Sequence, residues 1–283
     1  MDDETERIPV QYRFLIYQKV NKFLYWQVKV VNNVIKKLLI FSCCLLLFCA
    51  GCGKTATQKP AVKTASYPGW VEIKAGDQAS FQVPAQLILQ SEEYRAKQLA
   101  KENLDPLMKR WLTEDAETAK SAGCVVAQNS EAGELPWETK ASFAKVEFKT
   151  MHSPEKMPRY GQNLGLKEAE IKEFGDITQK SIQGMATKNL PEGYAIKFAN
   201  WKPMSSNIVN GVENLHTSYD EEIWLQGQKK MTLHVERWTF FNRDRVHTLI
   251  VAWNTRDNAI WEKEDTKLAN IVNTLNITPS TAK

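Results

Sequence analysis

Cysteine is scarce in this chain, and nearly all of it lies in one place. There are five cysteines in 283 residues, and Cys43, Cys44, Cys49 and Cys52 cluster together, leaving Cys124 alone downstream. A single thiol excludes an intramolecular disulfide and a thiolate-built metal site there. The simplest reading of Cys124 is a small buried apolar residue. Long apolar runs are also missing: the longest, Leu38 to Phe48, has about 11 residues, whereas a helix crossing the hydrocarbon needs about 20. Charge of one sign is not in surplus either. Residues 1–52 hold 7 of the 37 basic and 4 of the 33 acidic residues, so the remainder is nearly neutral and lacks the basic stripe of a nucleic-acid binder. Two apparent motifs lack essential parts. Gly51-Cys-Gly-Lys-Thr55 has Phe48 where a phosphate loop needs its first glycine, and Cys49-Ala-Gly-Cys52 has no strand-then-helix unit around it to make a redox pair.

What is present near the N-terminus is a signal. Lys36-Lys37 precede the short apolar run, and small residues lead to Ala50-Gly51-Cys52, the order of a positive region, an apolar core and a cleavage site. The stretch resembles a bacterial lipoprotein signal, with Cys49 where that pattern usually has leucine. The resemblance implies cleavage before Cys52 and lipidation of its thiol. With each buried methylene worth about 0.8 kcal/mol, two or three acyl chains anchor stably. The expected organisation is a doubtful N-terminal extension over 1–33, a signal peptide over 34–51, and a lipid-anchored flexible tether over 52–66. A single α+β domain over 67–277 and a tail over 278–283 follow. Translation is expected to begin at Val34, which would remove the acidic extension ahead of the signal; the alternative is a long amphipathic leader that lies on the membrane.

Within the domain, Trp70–Lys74 and Ala79–Val83 read as a hairpin closed by Pro84. Helices are expected from Ser91 and from Asp105-Pro106, the second ending at Gly123. Cys124–Gln128 and Ser142–Thr150 read as strands, and Met151–Gly165 as a long loop. Helices are expected over Leu166–Phe174 and Ile177–Ala186, broken near Gly175. Glu213–Leu225, Met231–Phe241 and Val246–Trp253 should form an antiparallel meander, followed by a helix over Trp261–Leu275.

Centring the two turns at Gly227/Gln228 and Arg243/Asp244 sets His234 opposite Glu221 and Trp253. One face then carries Tyr219, Ile223, Trp238, Phe240, Leu249, Val251 and Trp253. The other carries Met231, Leu233 and Val235, and on the first strand the polar row His216, Ser218 and Asp220. Two apolar faces imply cover on both sides, by helices. The segment Tyr194 to Ile277, with Trp238-Thr-Phe-Phe-Asn-Arg-Asp-Arg-Val-His-Thr-Leu-Ile-Val-Ala-Trp253 and the early Phe81-Gln-Val-Pro84, is similar to the Mog1/PsbP-like α/β/α sandwich. That resemblance implies an antiparallel sheet with helices on both faces, in proteins that act as binding or accessory modules.

No catalytic constellation emerges. His234 and His247 share a face about 20 Å apart and His216 points to the other, so no histidine metal site is expected. Residues two apart on a strand are about 6.6 Å apart, too far for a triad in His216, Ser218 and Asp220. That row reads as an exposed polar edge open to a partner. Trp137, in the loop Glu134-Leu-Pro-Trp-Glu138, is the expected exposed aromatic, either a contact or a loop lock. The expected function is a lipid-anchored extracytoplasmic module of the cell envelope, non-enzymatic, without metal or cofactor, binding an envelope protein or ligand. A hydrolase assembled from separate loops and a carrier of a small apolar ligand are the alternatives.

Overall fold

The computed structural model describes residues 64–280, except 121–122, 130–134, 139–141 and 154–156. The extension, the signal, Cys52 and nearly all of the tether lie outside the described residues. No helix among the described residues is long and apolar enough to cross a membrane.

Two antiparallel sheets and a small set of helices make up the fold. β1 (Trp70–Ala75) and β2 (Ala79–Pro84) form the expected hairpin, and β11 (Asn276–Ile277) completes a three-stranded sheet in the order β1-β2-β11. The large sheet runs β3 (Ile88–Leu89), β4 (Val125–Gln128), β5 (Ala144–His152), β10 (Arg245–Asn254), β9 (Gln228–Asn242), β8 (Val212–Leu225), β6 (Tyr194–Ala199). β7 (Ser205–Val209) also pairs with β8. The strand expected at an open edge is therefore flanked on both sides.

The helices begin where capping chemistry allows. Ser91 Oγ accepts from Tyr94 N–H at the start of α1 (Glu92–Leu99). Asp105 Oδ1 accepts from Leu107 and Met108 N–H at 2.8 and 3.2 Å ahead of α2 (Pro106–Ala119), with proline at a position whose own N–H would be unpaired. α3 (Glu168–Thr187) runs unbroken through Gly175, where two helices were expected. Gly175 marks a close approach, since a Cβ there would meet Met204 Cβ at 2.8 Å. The final helix is also shorter than the sequence suggested. α4 covers only Asn258–Trp261 and a 3-10 helix covers Leu268–Thr274. The intervening charged stretch is held in turns, with the Trp70 indole donating to Asp265 O at 2.8 Å.

The register of β9 with β10 is as expected, with Trp253 opposite His234. That of β8 with β9 is not. The turn falls at Gln226-Gly227, both with positive φ (50° and 77°), as a two-residue hairpin requires. That displacement alone would keep the faces. A bulge at Ile223/Trp224 leaves Lys230 unpaired and slips the ladder by one residue, which turns all of β8 over. Asp220, and not Glu221, lies opposite His234, and His216 lies opposite Trp238.

The two faces of the large sheet are covered differently. Val146, Phe148, Trp238, Phe240, Leu249, Val251 and Trp253 pack on Ile73, Phe81 and Val83 of the small sheet and on Leu268, Ile271 and Val272 of the 3-10 segment. Helical cover was expected there; a small sheet and a 3-10 turn take its place. On the other face, Tyr219, Ile223, Met231, Leu233 and Val235 pack with Leu107 of α2 and Ile182 of α3.

Candidate functional site

Alternation along β5 places Ala144, Val146 and Phe148 in the first core and Lys145, Glu147 and Lys149 on the opposite face. Sequence reasoning treats such charges as solvent-facing, but α2 covers them. Asp115 lies on the same stripe of α2 as Met108, Trp111 and Leu112, spaced three to four residues apart, and is buried with Met108 and Leu112. A carboxylate on an apolar stripe was the available signal. Asp115 Oδ1 meets Lys145 Nζ at 2.8 Å, Lys145 meets Glu147 Oε1 at 2.7 Å, and Glu147 Oε2 meets Lys149 at 2.5 Å. Burial opposes each charge, but the neighbours prevail at Lys145, held above its usual range by Asp115 and Glu147, and at Glu147, held well below its range by Lys145 and Lys149. Burial prevails at Asp115, which is raised.

A cavity of about 220 Å³ lies beside this chain of charges, between α2 and the sheet. Its wall includes Trp111, Phe143, Leu233 and Ile250 as apolar surface, with Arg110, Glu114 and Glu221 near the charge chain. Arg110 is fixed from two sides, its Nε on Glu114 Oε1 at 2.8 Å and its Nη2 on Met185 O at 3.0 Å. Its Nη1 is buried with no acceptor among the described residues. Glu221 is half-buried at the cavity wall, and it has no hydrogen bond or ion pair among the described residues. Burial pushes its carboxyl up to about 7, an effect only partly offset by Lys145. Beyond the wall, Arg237 is half-buried on the same face, its Nε buried with no partner among the described residues, and burial lowers its pKa.

The bulge creates a second polar group on the opposite face. His216 Nε2 and Glu236 Oε2 are 2.5 Å apart, His234 Nε2 and Glu236 Oε1 3.1 Å, and His234 Nδ1 and Asp220 Oδ1 2.8 Å. Asn200 donates to Asp220 at 2.6 Å. The His216 ring stacks on Trp238 at 5.1 Å, and that of His234 lies 4.8 Å from Trp253. Burial would raise Glu236, but the two histidines outweigh it and hold the carboxyl at about 2. Hydrogen bonding to Glu236 raises His234. Sequence reasoning had separated His216 from His234, and the structure joins them through one carboxylate. No group of three or more His, Cys, Asp or Glu among the described residues is placed to hold a metal ion.

The remaining expected contact residues are dispersed. Ser218 lies in the same row as His216 and Asp220 but is fully buried, its Oγ without a partner among the described residues, so the row is not an open edge. Trp137 is half-buried, its ring 6.4 Å from that of Tyr194, a loop lock in its packing. His247 is fully buried between Thr150 and Asn242, and burial lowers it to about 4.

No family profile and no curated protein matches the chain. Among solved structures it is similar to the solution structure of cyanobacterial PsbP (CyanoP) from Synechocystis sp. PCC 6803. The two are 9% identical with a TM-score of 0.37, over 81% of this chain and 98% of that one.

Proposed function

We propose that this chain is a lipid-anchored extracytoplasmic binding module of the cell envelope, attached through Cys52, whose ligand site is the cavity between α2 and the large sheet. We read its unequal layers as a variant of the Mog1/PsbP-like sandwich in which one helical layer is reduced to a 3-10 turn and a small sheet. The observation that carries the binding role is the cavity with Glu221 inside it. Burying a carboxyl without a partner costs stability, and a site that bears this cost is a functional candidate.

Binding is favoured over hydrolysis by the state of the other lining groups. The lining hydroxyls, Thr118 and Tyr219, have no side-chain hydrogen bond to a base among the described residues, while the cations and the remaining carboxylates neutralise one another. An activated nucleophile needs a base within about 3 Å.

The anchor has a direct test. Wild-type protein is expected in the membrane fraction with acyl mass on Cys52, and Cys52→Ser in the soluble extracytoplasmic fraction. Equal partition of the two would overturn the anchored reading. For the site, native mass spectrometry of the full chain in detergent should retain a small bound molecule that is lost on plugging the cavity with Ala252→Phe, a variant checked for folding by circular dichroism.

A further inference from the structure

The polar chain from Asp220 through His234 and Glu236 to His216 marks a break in the edge of the large sheet. β6 pairs with β8 as far as Ala199 opposite Asp220, and β7 takes over at Ser205 opposite His216. The two ends of the chain are therefore the residues at which edge pairing stops and resumes. Residues 200–204 bridge the gap and grip the sheet on both faces. On one face Asn200, at a φ of 50°, donates to Asp220 Oδ2 at 2.6 Å. On the other the Trp201 ring stacks on that of Tyr219 at 4.3 Å, and Tyr219 lines the cavity. Between these grips Lys202 N–H donates to Ser218 O at 2.8 Å and Thr217 Oγ1 donates to Lys202 O at 2.7 Å.

The contacts fix how many protons the chain holds. An ionised carboxylate only accepts, and a neutral imidazole donates from one nitrogen alone. His234 meets a carboxylate oxygen at each nitrogen, Asp220 Oδ1 at 2.8 Å and Glu236 Oε1 at 3.1 Å, so both nitrogens carry hydrogen. The ring is an imidazolium joining β8 to β9 by charge-assisted bonds. Loss of one proton leaves a lone pair facing a carboxylate, and one of the two acids must turn away. Glu236 is also held by His216 at 2.5 Å, whereas the other tie of Asp220 is to Asn200. We propose that residues 200–204 form a strap over the sheet edge, latched through Asp220 by a doubly protonated His234 and released when that ring loses a proton, which loosens Trp201 from Tyr219 in the cavity wall.

The direction of the response follows from the groups that face His234. Asp220 reaches it from β8 and Glu236 from its own strand, with His216 beyond Glu236. β10 presents the uncharged Trp253 ring at 4.8 Å, and β6 presents Ala199 opposite Asp220. Neighbouring charges are engaged elsewhere: Lys197 lies over the Trp224 ring at 3.7 Å, Glu222 bonds Trp224 and Lys229, and Arg256 pairs with Asp257. Hydrogen bonding to Glu236 raises His234 above its ordinary 6.5, burial opposes this, and Asp220 adds to the rise. A cation raised in this way stabilises the latched form below 6.5, and that contribution is lost as pH climbs through the folded value. The strap is thus closed in acid and opens on the alkaline side of 6.5.

Two magnetic-resonance readings on the full chain in detergent test the latch, and neither needs a ligand. Nitrogen-15 spectra of the imidazole rings should show His234 protonated at both nitrogens at pH 6, with a titration midpoint above 6.5. In protein labelled with 5-fluorotryptophan, the Trp201 resonance, assigned by its loss in Trp201→Phe, should move with the same midpoint. Glu236→Gln should lower both midpoints together by about 1 pH unit or more, and His234→Gln should abolish the Trp201 shift. If either variant fails to fold, the two wild-type midpoints still decide. A ring midpoint at or below 6.5, or a Trp201 resonance that stays fixed while His234 titrates, overturns the latch and leaves the binding reading standing.

Discussion

Glu221 occupies one position with two consequences. Its carboxyl titrates near 4.5 when unfolded and at about 7 when folded, so the folded state holds the proton more tightly. A raised acid contributes stability below pH 4.5 that is lost as pH climbs through 7. A gap of that size corresponds to about 3 kcal/mol. Glu221→Gln should therefore be more stable than wild type above pH 7, by up to about 3 kcal/mol, and little different at pH 4. Urea denaturation at the two pH values measures this. Equal effects at both would mean that Glu221 reaches a partner in solution. Residues of this kind are not legible from sequence, because Glu221, Lys145 and Glu147 resemble any solvent-facing charges on alternating strands. Asp115 was the exception, placed on the apolar stripe of α2.

At the scale of elements, glycines show where backbones approach one another. In α3, Gly175 and Gly184 would each gain about 1 kcal/mol of helix propensity as alanine. Gly184 has nothing within 4 Å of a new Cβ, whereas Gly175 meets Met204 Cβ at 2.8 Å, and overpacking costs about 1–3 kcal/mol. Gly184→Ala should stabilise by roughly 0.5–1 kcal/mol and Gly175→Ala should destabilise by about 1 kcal/mol, as read from denaturation midpoints. Because the clash is with Met204 Cβ, Met204→Ala would not relieve it. The same glycine read from sequence signalled a helix break, since spacing alone does not distinguish a terminator from a contact point. The meander shows the complementary limit. Alternation and turn residues located β8, β9 and β10 within a few residues, and the β9–β10 register was legible. The bulge at Ile223/Trp224 was not, and one unpaired residue moved His216 and Asp220 onto the face of His234 and Glu236.

Across the whole molecule, two buried groups on opposite faces of the sheet should cancel in the acid range. His247, fully buried, titrates at about 4 against an ordinary 6.5. The unfolded chain therefore takes up a proton that the folded one refuses. Stability from His247 is present above pH 6.5 and lost as pH falls towards 4, with a slope of about +1.4 kcal/mol per pH unit. Glu221 contributes the opposite slope between 4.5 and 7. Over the shared window, 4.5 to 6.5, the two sum to nearly zero. Glu236, at about 2, acts below this window, and Asp115, raised from its ordinary 3.8 by burial, adds a fall with pH that wild type shares with Glu221→Gln and His247→Gln. The pair itself should thus contribute no net slope there. Glu221→Gln should unmask a rise with pH, and His247→Gln a fall. The histidine variant should also lose absolute stability, because the ring stacks on Phe148 at 5.7 Å and bonds Thr150 and Asn242, but that loss displaces the curve without setting its slope. The double variant should return to the wild-type slope. Denaturation free energies at pH 4.5, 5.5 and 6.5 decide the matter: a sloping wild type with two unchanged single variants would show that neither group titrates as its burial requires, and would remove the electrostatic basis for Glu221 as a ligand-seeking acid.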